Sequence, residues 1–190
     1  MTIVKNRKAN TGAAKGKADG YALFVPEGTE APTDFESALP DGTMNLGFVS
    51  EDGVTDSPEF ETEDHKDGNG DVVESTQSGY AKKVTMKLIE HKADTLRVIY
   101  GEDNVTDAGG KLTVHNKGTY GISGALVLDT VMRGARAMRR VYPCTQLTEV
   151  GESTMVTGDL FATEVTFTVY QDESTGDYDV CYYASTETEA

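Results

Sequence analysis

Residues 121–133, GISGALVLDTVMR, decide the fold. Ile122, Gly124, Leu126, Leu128, Thr130 and Met132 alternate with Ser123, Ala125, Val127, Asp129 and Val131, and a period of two sustained this long predicts one strand, not a helix. In AKKVTMKLIE (81–90), Val84, Met86 and Leu88 alternate with Lys83, Thr85 and Lys87, the pattern of a strand with one buried and one wet face. Downstream, Val165, Phe167 and Val169 oppose Glu164, Thr166 and Thr168, and Ser174–Asp177 marks a turn, so 164–185 reads as a closing hairpin. ARAMRRVYP after Gly134 and the runs TQLTEV and TMVTGDLF supply further strands. In HKADTLRVIYG, Leu96, Ile99 and Tyr100 make an apolar stripe, Asp94 suits the positive end of a helix dipole and Gly101 suits its end. The expected fold is mainly β of the α+β kind, with seven or eight strands in two packed antiparallel sheets, a sandwich or barrel-like arrangement, and one short flanking helix at about 92–100.

The totals limit the function. A length of 190 residues suits one domain plus appendages, and 9 Tyr, 6 Phe and no Trp describe a thin core. No apolar run reaches the roughly 20 residues of a membrane helix, and the N-terminus has no apolar segment of the signal-peptide kind, so the expectation is a soluble product of a cytoplasm. The formal net charge is −15, unevenly spread. Residues 1–20 carry five bases and one acid and read as a flexible basic arm before a single domain at 21–190. Residues 21–45, punctuated by Pro26, Pro32 and Pro40, read as an extended lead-in. The stretch 51–74 holds ten acids against Lys66 alone and reads as a long acidic loop. An acidic balance of this size opposes general affinity for nucleic acid, which rests on a positive surface and released counterions.

Motifs of catalysis and ligand binding fail on inspection. Asp67 opens a D-x-N-x-D run resembling a calcium loop, but Val72 stands where a Gly is required and Ser78 where a bidentate Glu is required. GAAKGKA lacks one residue of a phosphate loop and puts Ala18 in place of the Mg²⁺-binding hydroxyl. His65, His91 and His115 are scattered, Cys144 and Cys181 have no metal-ligand spacing and read as inert thiols, and no nucleophile elbow is present. No catalytic, metal or cofactor residue is therefore expected, and no cofactor.

The stretch RGARAMRRVYP (133–143) holds four of the six arginines. With Gly134-Ala135 as a two-residue turn, Arg133 and Arg136 flank it on one face, Arg140 lies on the face of Met138 and Arg139 points the other way. Such a split cannot form one groove-shaped nucleic-acid patch. The expected partners are carboxylates of a neighbouring subunit, giving a candidate contact set of Arg133, Arg136, Arg139 and Arg140 with Glu59, Glu61, Glu63 and Asp64 of the acidic stretch; the alternative is a merely solvated hairpin tip.

Four segments in order, VPEGTEAPTD (25–34), LGFVSEDGVT (46–55), VTMKLIEHKADTLRVIYGEDNVT (84–106) and RAMRRVYPCTQLTEVGE (136–152), resemble the major tail protein, or tail tube protein, of bacteriophages with long non-contractile tails. The resemblance covers most of the chain. It departs at His65-Lys66-Asp67-Gly68, where many relatives carry Trp-Gly. It implies two packed antiparallel sheets with a flanking helix, and a structural subunit without catalysis. Homo-hexameric rings would stack into a tube that conducts double-stranded genomic DNA without specific binding. It also implies tape measure, tail terminator and distal tail proteins as partners, a place in the virion tail and assembly in the host cytoplasm. No immunoglobulin-like extension is expected. The alternative is a β-rich virion surface module that binds a receptor carbohydrate, with CYYAS (181–185) as its aromatic platform.

Overall fold

The computed structural model describes residues 15–17, 20–118, 121–131, 137–153, 155 and 157–184. In chain order the elements are β1 (Lys15–Gly16), β2 (Ala22–Pro26), β3 (Met44–Asn45), β4 (Val49–Lys66), β5 (Val72–Leu88), α1 (Ala93–Tyr100), a 3-10 turn (Glu102–Asn104), β6 (Val105–Ala108), β7 (Lys111–Val114), β8 (Ser123–Val131), β9 (Ala137–Val150), β10 (Thr163–Tyr170) and β11 (Val180–Tyr183). Among the described residues the protein is mainly β, with one α-helix and two antiparallel sheets. The large sheet runs β3-β2-β8-β9-β10-β5-β4, with β1 on β8 and β11 on β9, and β6-β7 form a separate hairpin. Among the described residues β3 and β4 are its edges and do not pair, so no barrel closes.

The large sheet folds over on itself. Phe24 of β2 and Phe167 of β10 lie with ring centroids 6.0 Å apart, whereas three strand spacings in a flat sheet would separate them by about 14 Å. The enclosed face is the main core, with Ala22, Phe24, Val84, Met86, Leu88, Leu126, Leu128, Tyr142, Leu147, Val165 and Phe167 among its members. Every inward residue expected on β5 and β10, and Leu126 and Leu128 on β8, points there. Gly124 is required by this closure: a Cβ there would lie 2.3 Å from the Val25 carbonyl and 2.8 Å from the Phe24 ring. A smaller cluster of Leu23, Val25, Ala125, Val127 and Val141 covers the opposite face of β2-β8-β9, with Ala31 and Tyr182 laid over it.

Several local expectations change. Ala22–Pro26 is not irregular lead-in but an internal strand, because its apolar run serves a core on each face. RAMRRVYP and TQLTEV merge into the single strand β9, where a register shift sets Pro143 and Cys144 against Ala125 and accommodates the proline in a bulge. TMVTGDLF forms no strand over its described residues. The final two strands do not pair with each other: β10 covers Cys144–Val150 of β9 and β11 covers Met138–Val141, so the long strand holds both on one edge. Of the expected stripe Ile99 is buried and Tyr100 packs on the core while Leu96 is only half-buried; Thr95 and Val98 are buried beside them, and the Thr95 hydroxyl donates to the Leu46 carbonyl at 3.0 Å. Gly101, at φ 90°, ends it as expected, its N–H donating to the Arg97 carbonyl.

The acidic stretch 51–74 is also not a loop. It forms β4, the turn at 67–71 and the start of β5, because acids alternate with Thr and Phe along β4 and the turn has its own closing chemistry. Asp67 accepts hydrogen bonds from the backbone N–H groups of Asn69 (2.8 Å) and Asp71 (2.9 Å), which hold its carboxyl below the ordinary range. The calcium-like run is thus a turn whose first aspartate is occupied by backbone.

Candidate assembly surface

From Glu59 to Ser78 every residue is exposed, so β4 and β5 leave the body as a two-stranded arm with water on both faces. The eight residues 59–66 span about 26 Å at strand rise. A lone two-stranded hairpin is marginal in water. This one also exposes Phe60 (65%), Val72 (52%) and Val73 (66%). Residues 59–79 carry seven acids against Lys66. The outer edge of β4 has no strand partner among the described residues. An acidic arm with apolar points and an open backbone edge has the chemistry a contact element needs.

Of the eight predicted contact residues, the four acids lie on this arm. Strand alternation puts Glu59, Glu61 and Glu63 on one face and Asp64 on the other, where the Ser75 hydroxyl donates to it. His65 Nε2 reaches Thr76 Oγ1 at 3.1 Å on the glutamate face. Arg133 and Arg136 lie outside the described residues. Arg139 and Arg140 point to opposite faces as expected, and both make ion pairs inside the subunit. Arg139, 5% exposed, forks onto Asp129 with Nε to Oδ1 at 2.7 Å and Nη2 to Oδ2 at 2.8 Å. Its Nη1 donates to the carbonyls of Asp34 (3.2 Å) and Ser37 (2.7 Å), tying the 27–43 segment over the sheet.

Arg140 belongs to a largely buried ionic quartet, with Lys82 at its buried centre and Arg140, Asp56 and Asp179 half-buried around it, that sequence reasoning missed. Its Nε donates to Asp179 Oδ2 at 2.7 Å and its Nη2 sits 2.5 Å from Asp56 Oδ2. Lys82 Nζ pairs with Asp179 and lies 3.4 Å from Asp56 Oδ2. The Tyr142 hydroxyl donates to Asp56 at 3.0 Å, and its ring lies under both cations, with Arg140 Cζ at 5.1 Å and Lys82 Nζ at 5.5 Å from the centroid. Burial pushes the Tyr142 hydroxyl up, beyond ordinary titration. Burial alone would also raise Asp179, but the hydrogen bonds from Arg140 and Lys82 prevail and hold it low. Asp56 Oδ1 is buried without a partner among the described residues. One signal was readable: Lys82 shares parity with Val84, Met86 and Leu88, so the alternation itself points a lysine into the core.

Elsewhere, His91 stacks on Phe161 at 4.3 Å and bonds Thr163 Oγ1 at 3.1 Å, and burial lowers its imidazole. Cys144 and Cys181 are free thiols pushed up by burial. Of the CYYAS aromatics, Tyr182 packs on the smaller core cluster, leaving Tyr183 48% exposed. Among the described residues, no group of three or more His, Cys, Asp and Glu is placed to hold a metal, and no helix is long and apolar enough to cross a membrane.

A family model described as phage tail tube protein matches residues 9–189. Among solved structures, a chain in the cryo-EM structure of the anti-feeding prophage cap, a tube-terminating cap, is similar over 93% of this chain and 98% of that one. Identity there is 11% and the TM-score 0.44. No curated protein matches the sequence.

Proposed function

The chain belongs to the phage tail tube protein family and is a structural component of a phage tail, and from that premise we propose that it forms hexameric rings that stack into a hollow, non-contractile tail tube. The observation that carries this reading is the arm: an exposed, acidic two-stranded projection with an unpaired edge is unstable alone and gains its partner on assembly. Glu59, Glu61, Glu63 and Asp64 then meet a neighbouring copy, with Arg133 and Arg136 as the donating, opposite charges. Arg139 and Arg140 hold β9 to Asp129 and Asp179 within the subunit.

The tube conducts double-stranded DNA and performs no catalysis. A net charge of −15 suits a conduit, because a wall of like charge lets phosphates slide where a basic wall would bind them along their length. Tape measure, tail terminator and distal tail proteins complete the assembly, which takes place in the host cytoplasm. Reversing Glu59, Glu61, Glu63 and Asp64 to lysine tests the contact. Sedimentation of the purified variant should show a folded subunit that no longer forms large particles, whereas particles at the wild-type concentration would overturn the role given to the arm.

A further inference from the structure

The arm leaves the body at one place, and the ionic quartet sits there. Asp56 lies three residues before the arm on β4, opposite Val84, and Lys82 lies two residues nearer the arm on β5, opposite Pro58. Beyond this root the arm has no strand neighbour other than itself among the described residues. The direction in which it points is therefore set at the root.

Two consecutive residues of the C-terminal segment grip that root. Tyr178 meets Tyr80 edge-on at 4.5 Å, and Tyr80 in turn lies 5.0 Å from Phe60 on the arm. Asp179 takes both cations, Lys82 from β5 and Arg140 from β9. Cys181 Sγ, 3.9 Å from Asp179 Oδ2, is the next group on that strand. The quartet thus joins β4, β5, β9 and the entry to β11 through two positive and two negative side chains, of which Lys82 is only 4% exposed. Well-packed apolar residues of similar volume would match or exceed the stability of such buried ions. Hydrogen-bonded charges differ from apolar side chains in being directional.

We infer that Tyr178 and Asp179, with Lys82, Arg140 and Asp56, form a clasp that fixes the angle of the arm and presents it, pre-oriented, to the next subunit. The clasp is a positioning device. It acts through the arm, and its value to assembly rests on the reading of the arm as an assembly element. A pre-oriented arm avoids the ordering cost that a swinging one would meet on docking. The C-terminal strand and the arm are then one mechanical unit, so displacing β11 would also release the arm.

The test separates orientation from stability. In a Cys144→Ser, Cys181→Ser background, spin labels at Thr62→Cys on the arm and Thr168→Cys on the body report the arm angle in the unassembled subunit. The parent should give one narrow distance. Replacing the quartet by apolar groups (D56L, K82M, R140M, D179L, with Y142F) should leave the thermal midpoint equal or higher but broaden that distance. The concentration needed for half-assembly should rise about tenfold or more. Should the five-fold variant fail to fold, Asp179→Asn supplies the measurement: amides at 59–62 and 77–80 should exchange about tenfold faster while those of β8 are unchanged. A narrow distance in the apolar variant, or exchange in Asp179→Asn that rises uniformly or not at all, overturns the clasp. A parent that never assembles overturns the tube reading instead, and the distance distribution still decides the clasp.

Discussion

At the scale of single residues, Asp179 makes the sharpest prediction. Its carboxyl is held below the ordinary 3.8 because its ion pairs outweigh its burial. A depressed folded-state pKa contributes stability that is fully present above the unfolded-state value of about 3.9 and is lost as pH falls through the lower folded-state value. Asp179→Asn should thus cost about 3 kcal/mol at pH 7, since Lys82 and Arg140 would keep only Asp56. The deficit should shrink as pH falls below about 4. Urea midpoints at pH 7 and pH 3 check this, and a deficit that is constant across the two would contradict it. Lys82 was legible beforehand from its parity with Val84. Asp179, sitting 97 positions from Lys82, was not, because no local pattern announces which carboxylate a buried lysine will find.

At the scale of elements, the arm is the feature that departs most from sequence reasoning. Ten acids in 24 residues suggested a loop, since charge usually marks solvated irregular chain. Backbone pairing does not need a buried face, however, and β4 and β5 satisfy their ladder from each other while their side chains stay wet. Deleting residues 62–77 and closing the strands with Asn-Gly should leave the body intact, with a thermal midpoint within a few degrees of the parent. The same deletion should abolish large assemblies in sedimentation. A deletion variant that unfolds would show the arm to be part of the domain's own stability. The periodic strands β5, β8 and β10 were readable because each has one apolar face. The merger of two runs into β9 was not, because Pro143 reads as a stop until a bulge is seen to absorb it. The partner of β11 was hidden for a related reason, since proximity in sequence favoured β10 and only the free length of β9 selects otherwise.

At the scale of the whole molecule, the class of fold was legible and its closure was not. Alternation and turn residues are local, and they gave a mainly β domain with one helix. The turning of one sheet over itself depends on Phe24 meeting Phe167 across intervening strands, with Gly124 leaving room for the ring. Among the described residues the resulting body has open edges at β3 and β4 and one projecting arm, and its family is that of phage tail tubes. On the proposed reading such a shape is incomplete as a monomer and complete as a repeating unit. Electron microscopy of the purified chain across a concentration series tests that claim directly. Hollow tubes built from six-fold rings at high concentration are the predicted result. Isolated monomers at every concentration, with the arm intact, would contradict it.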